Sequence, residues 1–358
     1  MPPIELAVLS LSDRSKSDAH HVVHRGLWSL IVRSLLVGTV ALGMLAAPLM
    51  ALSQPAPKTF RVGYLAIGGR TPDGGPPGPL REALRGLGYV EGKNIAYEAR
   101  FAESRADRLS GLAAELVRLH VDVIATNGGP ATQAAKSATS TIPIVMAFAA
   151  GDAVAIGLVA SLARPGANVT GLTDESIQLS AKRMQLLKET VPKAARIAVL
   201  WNVNDQGMTL RYREIEKAAR ALQVELQPLG VREPDDFAAA FTAMTRSRPD
   251  AMFLVADGLT TMHRKQFVEF AATHRIPAMY EWNFIVREGG LMSYGVSVED
   301  SAHEAAVYID RIFKGTNPAD LPAEQPTRYY LVVNRKTATA LGLTVPQTVI
   351  LQADEVIE

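Results

Sequence analysis

Amides, acids, aromatic rings and small residues recur in this chain at one kind of place, directly after short apolar runs. Gly68, Gly69 and Arg70 follow RVGYLAI at 61–67. Asn127, Gly128 and Gly129 follow VDVIAT at 121–126, and Phe148, Ala149 and Asp152 follow IPIVM at 142–146. In the second half Asn202 and Asn204 follow RIAVLW at 196–201, and Asp257 and Gly258 follow AMFLVA at 251–256. Tyr280, Glu281 and Trp282 end the run that starts at Ile276, and Tyr294 and Gly295 end a further one. In open parallel sheets, ligands bind beyond the carboxyl ends of strands, where helix N-termini present amide donors. Carboxylates and amides at those ends suit a small polar or zwitterionic molecule, and the rings suit its apolar part. At any one position a plainer reading stays open: Gly128 and Gly258 also suit turns, and Asn127 and Asn202 also suit helix caps.

Catalytic patterns are missing. The sequence holds no G-x-S-x-G, no G-x-x-x-x-G-K-[ST], and no G-x-G-x-x-G between a strand and a helix. The loop GGRTPDGGPPGP at 68–79 is glycine-rich but laden with proline and without a Lys-Ser pair, which argues against a phosphate cradle. With no cysteine there is no disulfide, no thiolate metal site, no cysteine nucleophile and no lipidated N-terminal cysteine. A formal net charge of +1 gives no electrostatic footing for nucleic acid. No metal or other cofactor is expected. Asn168, Val169 and Thr170 fit the glycosylation sequon and are read instead as a turn entering a crossing between lobes.

The elements that must position these residues alternate strand and helix with short connections, which predicts an α/β fold of two doubly wound parallel-sheet lobes joined by a multi-crossing hinge. The halves correspond in order: RVGYL with RIAVL, VDVIATNGG with PDAMFLVADG, and TIPIVMAFAA with HRIPAMYEWN. The expected division is a first lobe at 60–170, a second at 171–290, and a tail at 291–358 that returns to the first lobe and the hinge. An apolar helix is expected over 154–162, followed by the breaker cluster RPGAN at 164–168, with 164–171 as hinge.

Ahead of the lobes, residues 35–50 form an uninterrupted apolar run preceded by Arg25 and Arg33 and followed by Ala51-Leu52-Ser53. This is the pattern of a secretory signal peptide within 1–53, cleaved after Ser53, with 54–59 as linker. A membrane anchor is the alternative, but small residues and Pro48 favour cleavage. The long stretch before Arg25, with Glu5, Asp13 and Asp18, points to a true start near Val22 or Val23.

With these residues in place, the chain resembles the ABC-transporter substrate-binding proteins of the type I periplasmic fold, in the group that includes tryptophan- and tyrosine-type binders. The resemblance runs from Phe60 to about Gln352. It rests on GLVASLARPGANVTGLT at 157–173, LREALRGLGYVEGKNI at 80–95, Trp201-Asn202 and VNRKTATALGLTVPQT at 333–348. Asp152 matches an acid that the family usually follows with proline, whereas Ala153 follows here. The resemblance implies a monomeric, periplasmic, non-catalytic protein that closes two lobes on a small-molecule ligand and hands it to an ABC permease in the inner membrane. An amino-acid-like ligand fits the mixture of acids and rings. A sensing module for a membrane receptor and an exported α/β enzyme are the other readings; a DNA-binding repressor is excluded because a signal sequence stands where its helix-turn-helix would be.

Overall fold

Short aliphatic runs buried on both faces become parallel strands here because helices cover each side of the sheet they form. The computed structural model describes residues 58–148, 151–173 and 176–358; the expected signal peptide, most of the expected linker and Ala149 lie outside the described residues. In chain order the first half forms β1 (Phe60–Ala66), α1 (Gly78–Gly86), β2 (Ile95–Phe101), α2 (Leu109–Arg118), β3 (Val123–Asn127), α3 (Gly129–Ala138), β4 (Ile144–Phe148) and β5 (Val169–Leu172). The second half forms α4 (Ser176–Thr190), β6 (Arg196–Asn202), α5 (Gln206–Ala221), β7 (Glu225–Val231), α6 (Asp236–Ser247), β8 (Ala251–Leu254), α7 (Gly258–Met262), α8 (Arg264–His274), β9 (Ala278–Tyr280), α9 (Asn283–Arg287) and β10 (Met292–Gly295). The tail adds α10 (Val298–Phe313), β11 (Ala323–Glu324), β12 (Tyr330–Asn334), α11 (Arg335–Ala340), α12 (Gln347–Ile350) and β13 (Glu355–Ile357).

Two sheets result. The first is 6-stranded in the order β2-β1-β3-β4-β5-β11, and its strand pairs are all parallel. The second is 7-stranded, β7-β6-β8-β9-β10-β12-β13, parallel except where β12 runs antiparallel to β10. Its first five strands repeat the order of β2-β1-β3-β4-β5, so the two-lobed doubly wound α/β reading holds. Apolar clusters fill both faces of each sheet: Val62, Val123 and Val145 on one side of the first, Leu65, Ile124 and Met146 on the other. In the second, Ile197 and Phe253 oppose Leu200 and Met252. Pro228 sits in β7, an edge strand, where the missing N–H breaks no ladder.

The tail departs from expectation. Only its first part, α10 and β11, joins the first lobe. Ser297 caps α10 by accepting from Asp300 N at 3.1 Å, and Ala302, Ala305, Ala306 and Ile309 form a helical stripe buried against the first core. β12 and β13 instead extend the second sheet, with Leu331 and Val333 in the second core. β12 is buried on both faces, and such a strand carries no mark of which sheet edge it will join. The chain therefore changes lobe after β5, after β10 and after β11.

Two further expectations are corrected. Residues 153–157 form turns and no helix covers 154–162. Asp152 Oδ1 accepts from Val154 N and Ala155 N at 3.1 and 3.0 Å, and Gly157, at φ +73°, reverses the chain before a helix can propagate. Nor is 164–171 a hinge. Asn168 Nδ2 donates to Thr139 O and Ile142 O, tying the segment to the first lobe, and β5 lies between β4 and β11. Gly171, at φ +111°, lets β5 pass β4: a Cβ there would lie 2.6 Å from Met146 O. Gly171→Ala is expected to cost on the order of 1–3 kcal/mol in urea denaturation, from backbone strain and this overlap.

Candidate functional site

Both sheets present their carboxyl strand ends to one crevice, and the lobes touch across it. A cavity of about 440 Å³ lies there. From the first lobe it is lined by Gly68, Gly69 and Arg70 after β1, Asn127 and Gly128 after β3, and Phe148 at the end of β4. The second lobe contributes Asp257 and Gly258 after β8 and Trp282 after β9. These residues all follow from the strand-end rule.

The lobes meet at glycines. A Cβ on Gly258 would overlap Ile67 Cγ2 and lie 3.1 Å from Gly68 N; a Cβ on Gly151 would lie 3.7 Å from Gly207 Cα. At the mouth, Met262 Sδ lies 3.6 Å from Ser104 Oγ. The described conformation is thus a closed one.

Several cavity residues were not anticipated. Asp205 ends the loop after β6 and caps α5, accepting from Gly207 N at 2.8 Å and Met208 N at 3.3 Å. A helix start at Gln206 preceded by Asp is itself a cap signature, and Asp205 was findable on that ground. Thr261, Met262 and Arg264 come from α7 and α8, Phe284 from α9, Val298 from α10 and Pro77 from the loop before α1. Their inclusion depends on how the elements pack, which no local pattern reports.

Other expected residues lie elsewhere. Asn202 stands behind the wall, donating from Nδ2 to Asp257 Oδ2 at 2.6 Å. Gly129 is the first residue of α3 and Asp152 caps its own turn; neither lines the cavity. Tyr280 is 1% exposed and packs in the second core, where burial alone pushes its phenol well above the usual range. Tyr294 packs against Tyr329, rings 6.1 Å apart. Gly295 abuts the backbone carbonyl of Glu281, which any Cβ would strike.

Glu281 is 3% exposed and turns inward instead. Its Oε2 accepts from Arg211 Nη1 at 2.6 Å, and its Oε1 lies 3.4 Å from Arg183 Nη1. Arg183 Nε also donates to Tyr294 O at 2.6 Å.

The cavity wall has a defined polarity. Asp257 is fully engaged: Oδ1 accepts from Thr260 N and Oγ1 at 2.8 and 3.0 Å, Oδ2 from Asn202. Burial, and after it the neighbouring charge of Asp257, push the Asp205 carboxyl up to about 6, against the opposing pull of Arg211 and two backbone amides. Across the cavity Arg70 makes no ion pair among the described residues. Arg264 is occupied, donating to both oxygens of Glu288 at 2.8 and 2.7 Å and lying 5.3 Å over the Phe284 ring. Trp282 and Phe284 stack with centroids 6.2 Å apart. The space thus has apolar rings, two carboxylates on one wall and a guanidinium on the other. Among the described residues no group of three or more metal-ligating side chains gathers.

Comparisons with known proteins bear on the family and the fold. Residues 77–357 match the sequence model of a family described as ABC transporter substrate binding protein. A tyrosine-binding protein of Clostridioides difficile is 27% identical over 263 residues, 73% of this chain and 75% of that protein. The crystal structure of a conserved domain protein from Vibrio cholerae superposes with a TM-score of 0.76 at 26% identity, covering 84% of this chain and 100% of that one. A Streptococcus domain in complex with L-Trp gives 0.75 at 24% identity over the same shares.

Proposed function

The chain belongs to the ABC transporter substrate-binding protein family, a family of binding proteins rather than enzymes, and from that premise we propose that it captures an aromatic amino acid or a close analogue between its lobes. The observation that carries this reading is the cavity itself, with rings at Phe148, Trp282 and Phe284, Arg70 on one wall, and Asp205 and Asp257 on the other. A ligand ring would stack on the aromatic side chains, worth about 0.5–1.5 kcal/mol per pair beyond the area buried. Its carboxylate would meet Arg70 and the amide end of α3, and its ammonium would meet the acids. The tyrosine-binding relative and the L-Trp complex support the same class of ligand. Export by the leader within 1–53, delivery to an ABC permease and action as a periplasmic monomer complete the proposal. The ligand stabilises the closed lobes through its higher affinity for them.

Thermal unfolding of the purified protein with tyrosine, tryptophan, phenylalanine and their deaminated acids tests it. At a thousandfold excess over Kd, a true ligand adds about 4 kcal/mol and a matching rise in Tm. No response to any amine-bearing aromatic compound would refute the reading. Trp282→Ala is expected to weaken binding of the active compound about tenfold by calorimetry, through loss of its stacking surface.

A further inference from the structure

We propose that Asp205 is a charge gate on lobe closure: closing over an empty cleft buries its carboxylate beside that of Asp257, where Arg211, already shared with Glu281, offsets only part of the cost, and a ligand's cationic group supplies the rest. The proposal deepens the reading of the site as one for a zwitterion, but its central test needs no ligand.

Charges in the second lobe form a continuous chain. Arg183 meets Glu281, Glu281 meets Arg211, and the field of Arg211 reaches Asp205, which in turn feels Asp257. Signs alternate along this chain until its last step, where two carboxylates adjoin. That last pair is the part lining the cavity, and both members are nearly sealed from water, Asp205 at 4% and Asp257 at 7% exposed. The opposite wall offers no compensation built into the fold. Arg70 there is an exposed side chain, and Arg264, on the same lobe as the two acids, is held by Glu288.

The sealing belongs to the closed form. Asp205 anchors the start of α5, and it is there that Gly207 meets Gly151 of the first lobe. Opening the lobes exposes this wall to solvent, where a carboxylate is cheap; closing them empty strips its hydration. The sign follows from the acidity of the closed form, in which the Asp205 carboxyl titrates at about 6, raised by burial and by Asp257. Opening removes the part of this rise that comes from burial against the first lobe, while the field of Asp257, on the same lobe, remains, so the carboxyl titrates lower in the open form. Closing is therefore linked to proton uptake and is favoured as pH falls. Between pH 7 and pH 5 the closing equilibrium of the empty protein shifts toward the closed form by at most about tenfold, the limit set by a fully relaxed open carboxyl. A ligand cation does the same work at neutral pH by favouring the ionised carboxyl, so uncharged analogues close the lobes poorly.

The chain has no cysteine, so a fluorophore pair on Lys93→Cys and Glu269→Cys, exposed positions on the two lobes, reports closure cleanly. With no ligand present, the interlobe distance is expected to shorten as pH falls from 7.5 to 5. Asp205→Asn, which retains an oxygen to cap α5, is expected to abolish that dependence and shift the empty protein toward the closed distance at pH 7.5. A pH-invariant distance in the unsubstituted chain, or an Asp205→Asn protein as open as the parent at pH 7.5, overturns the gate. If the empty protein responds as expected but no aromatic amino acid binds, the gate stands and the ligand assignment fails.

Discussion

Gly258→Ala is expected to weaken ligand binding about 30- to 150-fold while the empty protein keeps its stability. The residue is the first of α7 and lies where the lobes meet, with Ile67 and Gly68 of the first lobe directly opposite. An added Cβ would overlap Ile67 Cγ2, lie 3.2 Å from Ile67 Cβ and 3.1 Å from Gly68 N. Ile67 is β-branched and its methyl cannot swing clear by a cheap rotamer change; Gly68 N is backbone and cannot move alone. Within the second lobe, alanine at a helix start carries no penalty. The overlap exists only between lobes, so opening relieves it and the cost falls on closure. Overpacking of this kind costs about 2–3 kcal/mol, equivalent to the stated loss of affinity. Calorimetry gives the affinity and denaturation of the empty protein gives the control. Affinity within threefold of the parent would show that the lobes do not close in this register.

The strand-end rule located much of this site from sequence alone, for a physical reason. A parallel strand that leaves a buried sheet must turn within two or three residues, and those residues are local in sequence. Gly68, Asn127, Phe148, Asp257 and Trp282 are placed by that geometry. The rule does not say which way a side chain then points. Tyr280 and Glu281 sit at the same kind of place as Asp257, yet one packs into the core and the other turns to two arginines. Arg183 and Arg211 lie on α4 and α5, far apart in sequence, and no periodicity announces that they converge on one carboxylate. Asp205 was a different case. It carried a local signal as a helix cap, but it lies three residues past the strand and a cap is usually only a cap.

The lobe repeat was legible because both halves run the same order of elements, and β2-β1-β3-β4-β5 matches β7-β6-β8-β9-β10. The tail was harder because it has no counterpart to align with. Its helix α10 shows an apolar stripe but not the sheet that stripe covers, and β12 pairs antiparallel with β10 by contacts formed from opposite ends of a long connection. The turn after Asp152 misled for a narrower reason. Apolar residues at helical spacing predict a helix only if the backbone continues, and Gly157 in the left-handed region ends it.

The heaviest loss of stability is expected at Glu281. Replacing it with alanine removes the carboxylate shared by Arg211 and Arg183, whose side chains are each 2% exposed. Truncating one member of a buried ionic network costs about 3–5 kcal/mol, because the remaining charges keep their desolvation penalty and lose their compensation. Denaturant unfolding of Glu281→Ala should show this loss in the second lobe. Glu281→Gln preserves shape and one acceptor and should lose less. The milder variant also tests the charge chain. With the negative charge of Glu281 gone, the field of Arg211 acts on Asp205 less opposed, so the Asp205 carboxyl should titrate lower than its value of about 6. The pH at which the empty lobes begin to close should then move down, and a ligand's ammonium should have less uncompensated charge to find, lowering affinity without touching any cavity residue. An unchanged closing pH in Glu281→Gln would mean that the five charges act separately, with Asp205 governed by burial and Asp257 alone.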